Sequence, residues 1–81
     1  LWIGGIHGDE REGAVATAQL PRALLAEPGA LDRVTLTIVE DVNPDGTAQG
    51  TRGNARGVDL NRNYPAPNFR PSRFFGARPL D

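Results

Sequence analysis

The order strand, helix, strand in the first half of the chain is the feature that most constrains its fold. Residues 1–6 are an apolar run that ends in glycines and fits a buried strand. Residues 12–25 favour a helix, which Pro21 is expected to interrupt or kink and which residues 27–29, Glu-Pro-Gly, end. Residues 34–39 alternate apolar and polar side chains, as a half-buried strand does. This order predicts an α/β unit.

The second half of the chain has a different character. From residue 43 onward Asn, Pro, Gly, Asp and Arg dominate, which predicts a long irregular stretch, and such loops are uncommon unless they are functional or disordered. A chain of 81 residues forms at most one domain and buries only roughly 60% of the surface that its unfolded form exposes. Because the sequence contains no Met, we expect residues 1–81 to be a single incomplete domain of a longer protein.

Composition excludes several classes of function. Without Cys there is neither a disulfide framework nor a thiolate metal site, and without a long apolar segment no membrane partner is expected. The net charge of −1 argues against nucleic-acid binding, although all nine basic residues are Arg. The pair Phe74 and Phe75 is expected to pack under the loop rather than to stack on bases. The compartment stays open, with the cytoplasm favoured.

The first candidate site is His7-Gly8-Asp9-Glu10, directly after the first predicted strand. Imidazole and carboxylate are both good Zn²⁺ ligands, and a catalytic zinc commonly takes three protein ligands. Gly8 would allow a tight turn between the two ligands. The alternative is that His7 ends a strand and Glu10 only begins a helix, where a carboxylate suits the positive end of the helix dipole.

Two further segments are candidates. Residues 43–46, Asn-Pro-Asp-Gly, all favour a turn, and a turn is predicted there. Residues 51–65 combine three Arg, three Asn and one Asp with few apolar side chains. A solvated loop would explain that polarity, but guanidinium and amide groups together also suit the binding of carboxylates and oxyanions.

The three segments together resemble a known family. The order H-G-D-E, N-P-D-G and T-R-G-N-A-R-G-V-D-L-N-R-N-Y-P is similar to the M14 family of zinc carboxypeptidases, in the bacterial branch that looks like murein peptide amidases. The similarity runs through essentially the whole chain. It implies a partial zinc-carboxypeptidase-like α/β fold with a mixed β-sheet flanked by helices, of which this chain is the N-terminal part.

The resemblance also implies a metal site. His7 and Glu10 match the first two ligands of one Zn²⁺ ion, and Asp59 matches the carboxylate that accepts a hydrogen bond from the ligand histidine. The family's third ligand, a histidine, and its general-base glutamate are expected beyond residue 81. We therefore expect the 81 residues alone to be inactive.

The remaining matches concern the substrate. Arg52 matches the arginine that polarises the scissile carbonyl and stabilises the oxyanion, and Asn61 and Arg62 match the pair that holds a terminal carboxylate. Arg56 has no counterpart and is expected to be solvated. The implied partner is a peptide with a free carboxylate, such as the γ-D-glutamyl-diaminopimelate bond of murein. The alternatives are a deacylase of the aspartoacylase or succinylglutamate desuccinylase type, and a non-catalytic ligand-binding relative.

Overall fold

The computed structural model describes residues 1–80 and has the predicted α/β order. Its elements are strand β1 (Trp2–Ile3), helix α1 (Arg11–Ala26), strand β2 (Ile38–Val39), helix α2 (Pro44–Gln49) and a 3₁₀ helix (Leu60–Arg62). The two strands are parallel, with Trp2 opposite Ile38 and Ile3 opposite Val39, and α1 lies between them in the chain. The α/β class is thus confirmed. Because the sheet described for residues 1–80 has two parallel strands, the mixed sheet stays a prediction.

Both strands are shorter than the sequence predicts, and the first is also more exposed. Trp2 and Ile3 are 51% and 43% exposed, so the expectation of a buried first strand is wrong for this chain. The physical reason is the scarcity of neighbours, since Val58 is the one apolar side chain that is buried within residues 1–80. The other buried side chains that define the interior are polar or charged: His7, Thr17, Asn43, Asp59 and Asn63.

Helix α1 confirms the predicted helix and its end, but not its interruption. The helix runs from Arg11 to Ala26 with Pro21 inside it. Proline removes one backbone hydrogen-bond donor from a helix, but this 16-residue helix continues on both sides of Pro21. The chain leaves the helix at Glu27, whose N–H donates to the Leu24 carbonyl, immediately before the predicted Pro-Gly stop.

The predicted irregular stretch contains two short helices. Residues 43–46 are the start of α2 rather than a turn, because the Asn43 side chain accepts a hydrogen bond from the Gly46 N–H and Pro44 occupies the first turn. The helix ends at Gly50, whose φ of 67° is left-handed and suits glycine. Asp59 caps the 3₁₀ helix in the same way by accepting from the Asn61 N–H.

The C-terminal segment is held through its backbone. The Phe74 carbonyl accepts a 2.7 Å hydrogen bond from the Asp59 N–H, and the Phe75 carbonyl accepts one from the Asn63 side chain. Phe74 and Phe75 are 63% and 36% exposed, so the expectation that they pack under the loop is wrong for Phe74. None of the helices within residues 1–80 is long and apolar enough to cross a membrane.

Candidate active site

His7 and Glu10 lie together at the end of β1. The Glu10 N–H donates to the His7 carbonyl over 3.1 Å, which closes a tight turn and brings His7 Nδ1 to 3.3 Å from Glu10 Oε2. A side chain at Gly8 would overlap the backbone of Gly46, so glycine is required for this turn to pack against α2. Glu10 precedes α1, yet its side chain makes no capping hydrogen bond to the helix. Its carboxylate is turned towards His7 instead.

Asp59 contacts both His7 and Arg52. It is 8% exposed, and its Oδ1 lies 3.0 Å from His7 Nε2 while its Oδ2 accepts a 2.9 Å hydrogen bond from Arg52 Nε. Burial raises the pKa of Asp59, but the hydrogen bonds from His7, Arg52 and the Asn61 N–H outweigh it, so that the pKa lies below its ordinary value of 3.8. Asp59 is therefore a carboxylate at neutral pH.

The charge of Asp59 determines which nitrogen of a neutral His7 ring carries the proton. An ionised carboxylate can only accept hydrogen bonds, so neutral His7 must carry its proton on Nε2 to bond with Asp59. The lone pair of Nδ1 then points to the side of Glu10. This is the arrangement in which a histidine and a carboxylate can share one cation.

Arg52 closes a ring of four side chains. Its Nε donates to Asp59, and its Nη1 lies 3.5 Å from Glu10 Oε1. The ring runs from His7 to Asp59, to Arg52, to Glu10 and back to His7. The Arg52 side chain is 47% exposed, so these ion pairs are screened by water and contribute little to stability. The same exposure leaves guanidinium N–H groups accessible to a ligand.

Asn61 and Arg62 lie outside the ring but adjoin it. The Asn61 N–H donates to Asp59 over 2.9 Å, and Arg62 Nη1 donates to the Asn61 carbonyl. Both residues line an open cleft of about 360 Å³. The other lining residues are Tyr64, Ala66, Asn68, Phe69, Arg70 and Phe75. Two guanidinium groups and two amides without an acidic side chain make this cleft suitable for an anionic group.

The sequence singled out Asn43 only as part of a predicted turn, and it did not point to Arg70. Asn43 is 2% exposed and bridges the loops that carry His7 and Arg52; its signal was the Asn-Pro pair, which is also the signature of a helix start. Arg70 was missed as a second cation of the cleft, and no spacing in the sequence singles it out. Arg56 is exposed.

Within residues 1–80 no three His, Cys, Asp or Glu side chains are grouped so that they could hold a metal ion. His7 and Glu10 therefore supply at most two ligands, since Asp59 faces the opposite ring nitrogen of His7.

Comparison with known proteins places this chain in a family. The model of the succinylglutamate desuccinylase/aspartoacylase catalytic domain matches residues 1–73. The chain belongs to this family. It is also 43% identical over 70 residues to murein peptide amidase A of Escherichia coli strain K12, and 37% identical over 75 residues to carboxypeptidase SOL1 of Arabidopsis thaliana. These matches cover 86% and 84% of this chain, and the resemblance to the murein peptide amidase branch is confirmed.

A solved structure supports the same assignment. The crystal structure of murein-tripeptide amidase MpaA from Escherichia coli O157 matches with a TM-score of 0.64 and 39% sequence identity over 86% of this chain. The chain spans 27% of that structure, 27% of murein peptide amidase A and 15% of carboxypeptidase SOL1. By their names, these relatives are peptide hydrolases.

Proposed function

We propose that the protein to which this chain belongs hydrolyses, with zinc, an amide bond next to a free carboxylate. The observation that carries the proposal is the ring of His7, Glu10, Asp59 and Arg52, because it joins two zinc-type ligands to an orienting carboxylate and an accessible guanidinium. The position of Asn61 and Arg62 in an adjoining cationic cleft adds a place for the carboxylate.

The side chains at His7 and Glu10 fit a zinc ion. His7 Nδ1 and the Glu10 carboxylate oxygen 3.3 Å from it are a donor set that Zn²⁺ prefers, and Asp59 holds the imidazole by its other nitrogen. Zinc bound there would supply the positive charge that polarises a carbonyl group and acidifies water. A third ligand and a general-base glutamate stay predictions for the chain beyond residue 81.

The residues of the chain have distinct tasks in this proposal. Arg52 donates hydrogen bonds to the oxygen of the scissile carbonyl as negative charge develops on it, while Asp59 fixes the orientation of the guanidinium through Nε. Arg62 and Asn61 bind the terminal carboxylate of the substrate, and the planar guanidinium permits a two-point pairing. The carboxylate and the carbonyl are thus held by neighbouring parts of one loop.

For the substrate we propose a murein peptide with a γ-D-glutamyl-diaminopimelate bond. Support comes from the relatives named murein peptide amidase A, which are 43% identical in Escherichia coli and 38% identical in Vibrio campbellii. A deacylase acting on an N-acylated amino acid is the second candidate, favoured by the name of the family model. Both substrates present an amide near a free carboxylate, so the cleft fits either.

The experiment is hydrolysis by the full-length protein. We expect cleavage of γ-D-glutamyl-diaminopimelate peptide that is lost with a chelator, restored by zinc and abolished by His7→Ala. Faster cleavage of N-acetylaspartate or N-succinylglutamate would favour the deacylase. Zinc binding without hydrolysis of any of these substrates would favour a ligand-binding relative.

A further inference from the structure

One buried side chain, Asn43, links the backbone of three segments around the site. Its Nδ2 donates to the carbonyls of Ile6, Arg52 and Gly53 over 3.3, 3.4 and 3.2 Å. Its Oδ1 accepts from the Gly46 N–H over 3.1 Å. Ile6 immediately precedes His7, so one amide group spans the loop of the proposed metal ligands and the loop of the proposed oxyanion donor.

The surroundings of Asn43 leave it little freedom. The side chain is 2% exposed, and an amide with two hydrogens serves three carbonyls only by sharing at least one of them. A side chain at Gly46 would approach the Gly53 carbonyl to 2.6 Å and overlap the Asn43 amide. The three segments are therefore packed backbone against backbone, and the amide sets their spacing.

We propose that Asn43 is a positioning residue that fixes Arg52 relative to His7. This inference rests on the proposed function. Arg52 is about half exposed and its contacts within the ring involve only its side chain, so its backbone needs a separate anchor. Asn43 supplies that anchor at the Arg52 and Gly53 carbonyls. Losing it moves the guanidinium away from the developing oxyanion but leaves the cleft around Arg62 in place.

The test uses two variants of the full-length, zinc-loaded protein. Asn43→Ser keeps a side chain that can cap α2 but cannot reach the three carbonyls. Asn43→Asp keeps the shape and the accepting oxygen but removes the donor. The matched control is Asn54→Asp, because Asn54 Oδ1 accepts from the N–H groups of Arg56 and Val58 and an aspartate can do the same.

Two measurements separate positioning from general stability. The first is kcat and KM for the γ-D-glutamyl-diaminopimelate peptide. The second is the Kd, by calorimetry, of a phosphinic analogue of that peptide and of the diaminopimelate product. A misplacement of about 1 Å costs about 100-fold in rate, so we expect kcat to fall and the analogue to bind about 10–100-fold more weakly in both Asn43 variants. KM, product binding and zinc content should change less than about twofold, because Arg62 keeps its place.

The outcomes are distinguishable. Asn54→Asp should match the unmodified protein in every value. The positioning role would be overturned if kcat fell while KM and the Kd of the product rose by equal factors. It would also be overturned if the analogue bound normally, or if both Asn43 variants failed to fold. An unmodified protein that does not hydrolyse the peptide would refute the proposed function instead.

Discussion

Removing Asp59 should weaken zinc binding although Asp59 does not face the metal side of His7. In Asp59→Ala, the buried His7 ring loses the carboxylate that holds Nε2 at 3.0 Å. The ring can then rotate and take either tautomer, and zinc binding must restore the geometry. A hydrogen bond between a buried group and a charged partner is worth about 1–3 kcal/mol, which corresponds to roughly 5–150-fold in affinity. The loss at the half-exposed Arg52 adds little.

We therefore expect the zinc Kd of the full-length protein to rise about 10–100-fold, the range typical of such partners. The assay is competition with a chelator of known zinc affinity. Asp45→Ala is the control, because Asp45 is exposed in the first turn of α2. Unchanged zinc affinity together with unchanged hydrolysis would refute the claim that Asp59 orients His7.

Three further predictions concern the full-length protein. Arg62→Lys should lower kcat/KM for a peptide with a free carboxylate at least about tenfold more than for its amidated analogue, since lysine lacks the planar fork; equal losses would make Arg62 structural. The pKa of Asp59 is lowered from 3.8, so its charge contributes stability that is complete above that value and lost as pH falls through the folded-state pKa. The stability advantage over Asp59→Asn should therefore shrink in acid unfolding titrations, and a pH-independent difference would contradict this. Gly8→Ala should lower the free energy of unfolding by about 1–3 kcal/mol, because the added methyl group would overlap the backbone of Gly46. Gly13 has open space around it, so Gly13→Ala should instead raise the free energy of unfolding by about 0.5–1 kcal/mol. Thermal unfolding measures both changes.

Local signals in the sequence predicted the elements that depend on local chemistry. Helix α1 follows from its composition and from the Pro-Gly stop after Glu27. The sequence also predicts that His7 and Glu10 can lie together, because they are three positions apart and the glycine between them allows a tight turn. The contact between His7 and Asp59 spans 52 positions, and only the resemblance to a family suggested it.

Other features depend on contacts that a sequence pattern does not contain. Residues 43–46 predict a turn, but Asn, Pro, Asp and Gly are favoured both in turns and at helix N-termini, so their composition does not distinguish a turn from the start of α2. The role of Asn43 arises from three carbonyls that meet only in the folded chain. Phe74, which was predicted to pack under the loop, is exposed, and its segment is fixed through the carbonyl groups of Phe74 and Phe75.

We propose that His7 and Glu10 hold zinc, with His7 binding through Nδ1. It is tested most directly by a crystal structure of the full-length protein grown with zinc, with anomalous data collected on both sides of the zinc absorption edge. We expect one anomalous peak about 2.0–2.2 Å from His7 Nδ1 and from a Glu10 carboxylate oxygen, with His7 Nε2 still hydrogen-bonded to Asp59. A peak bonded to Nε2, or a zinc site that excludes either residue, would contradict it.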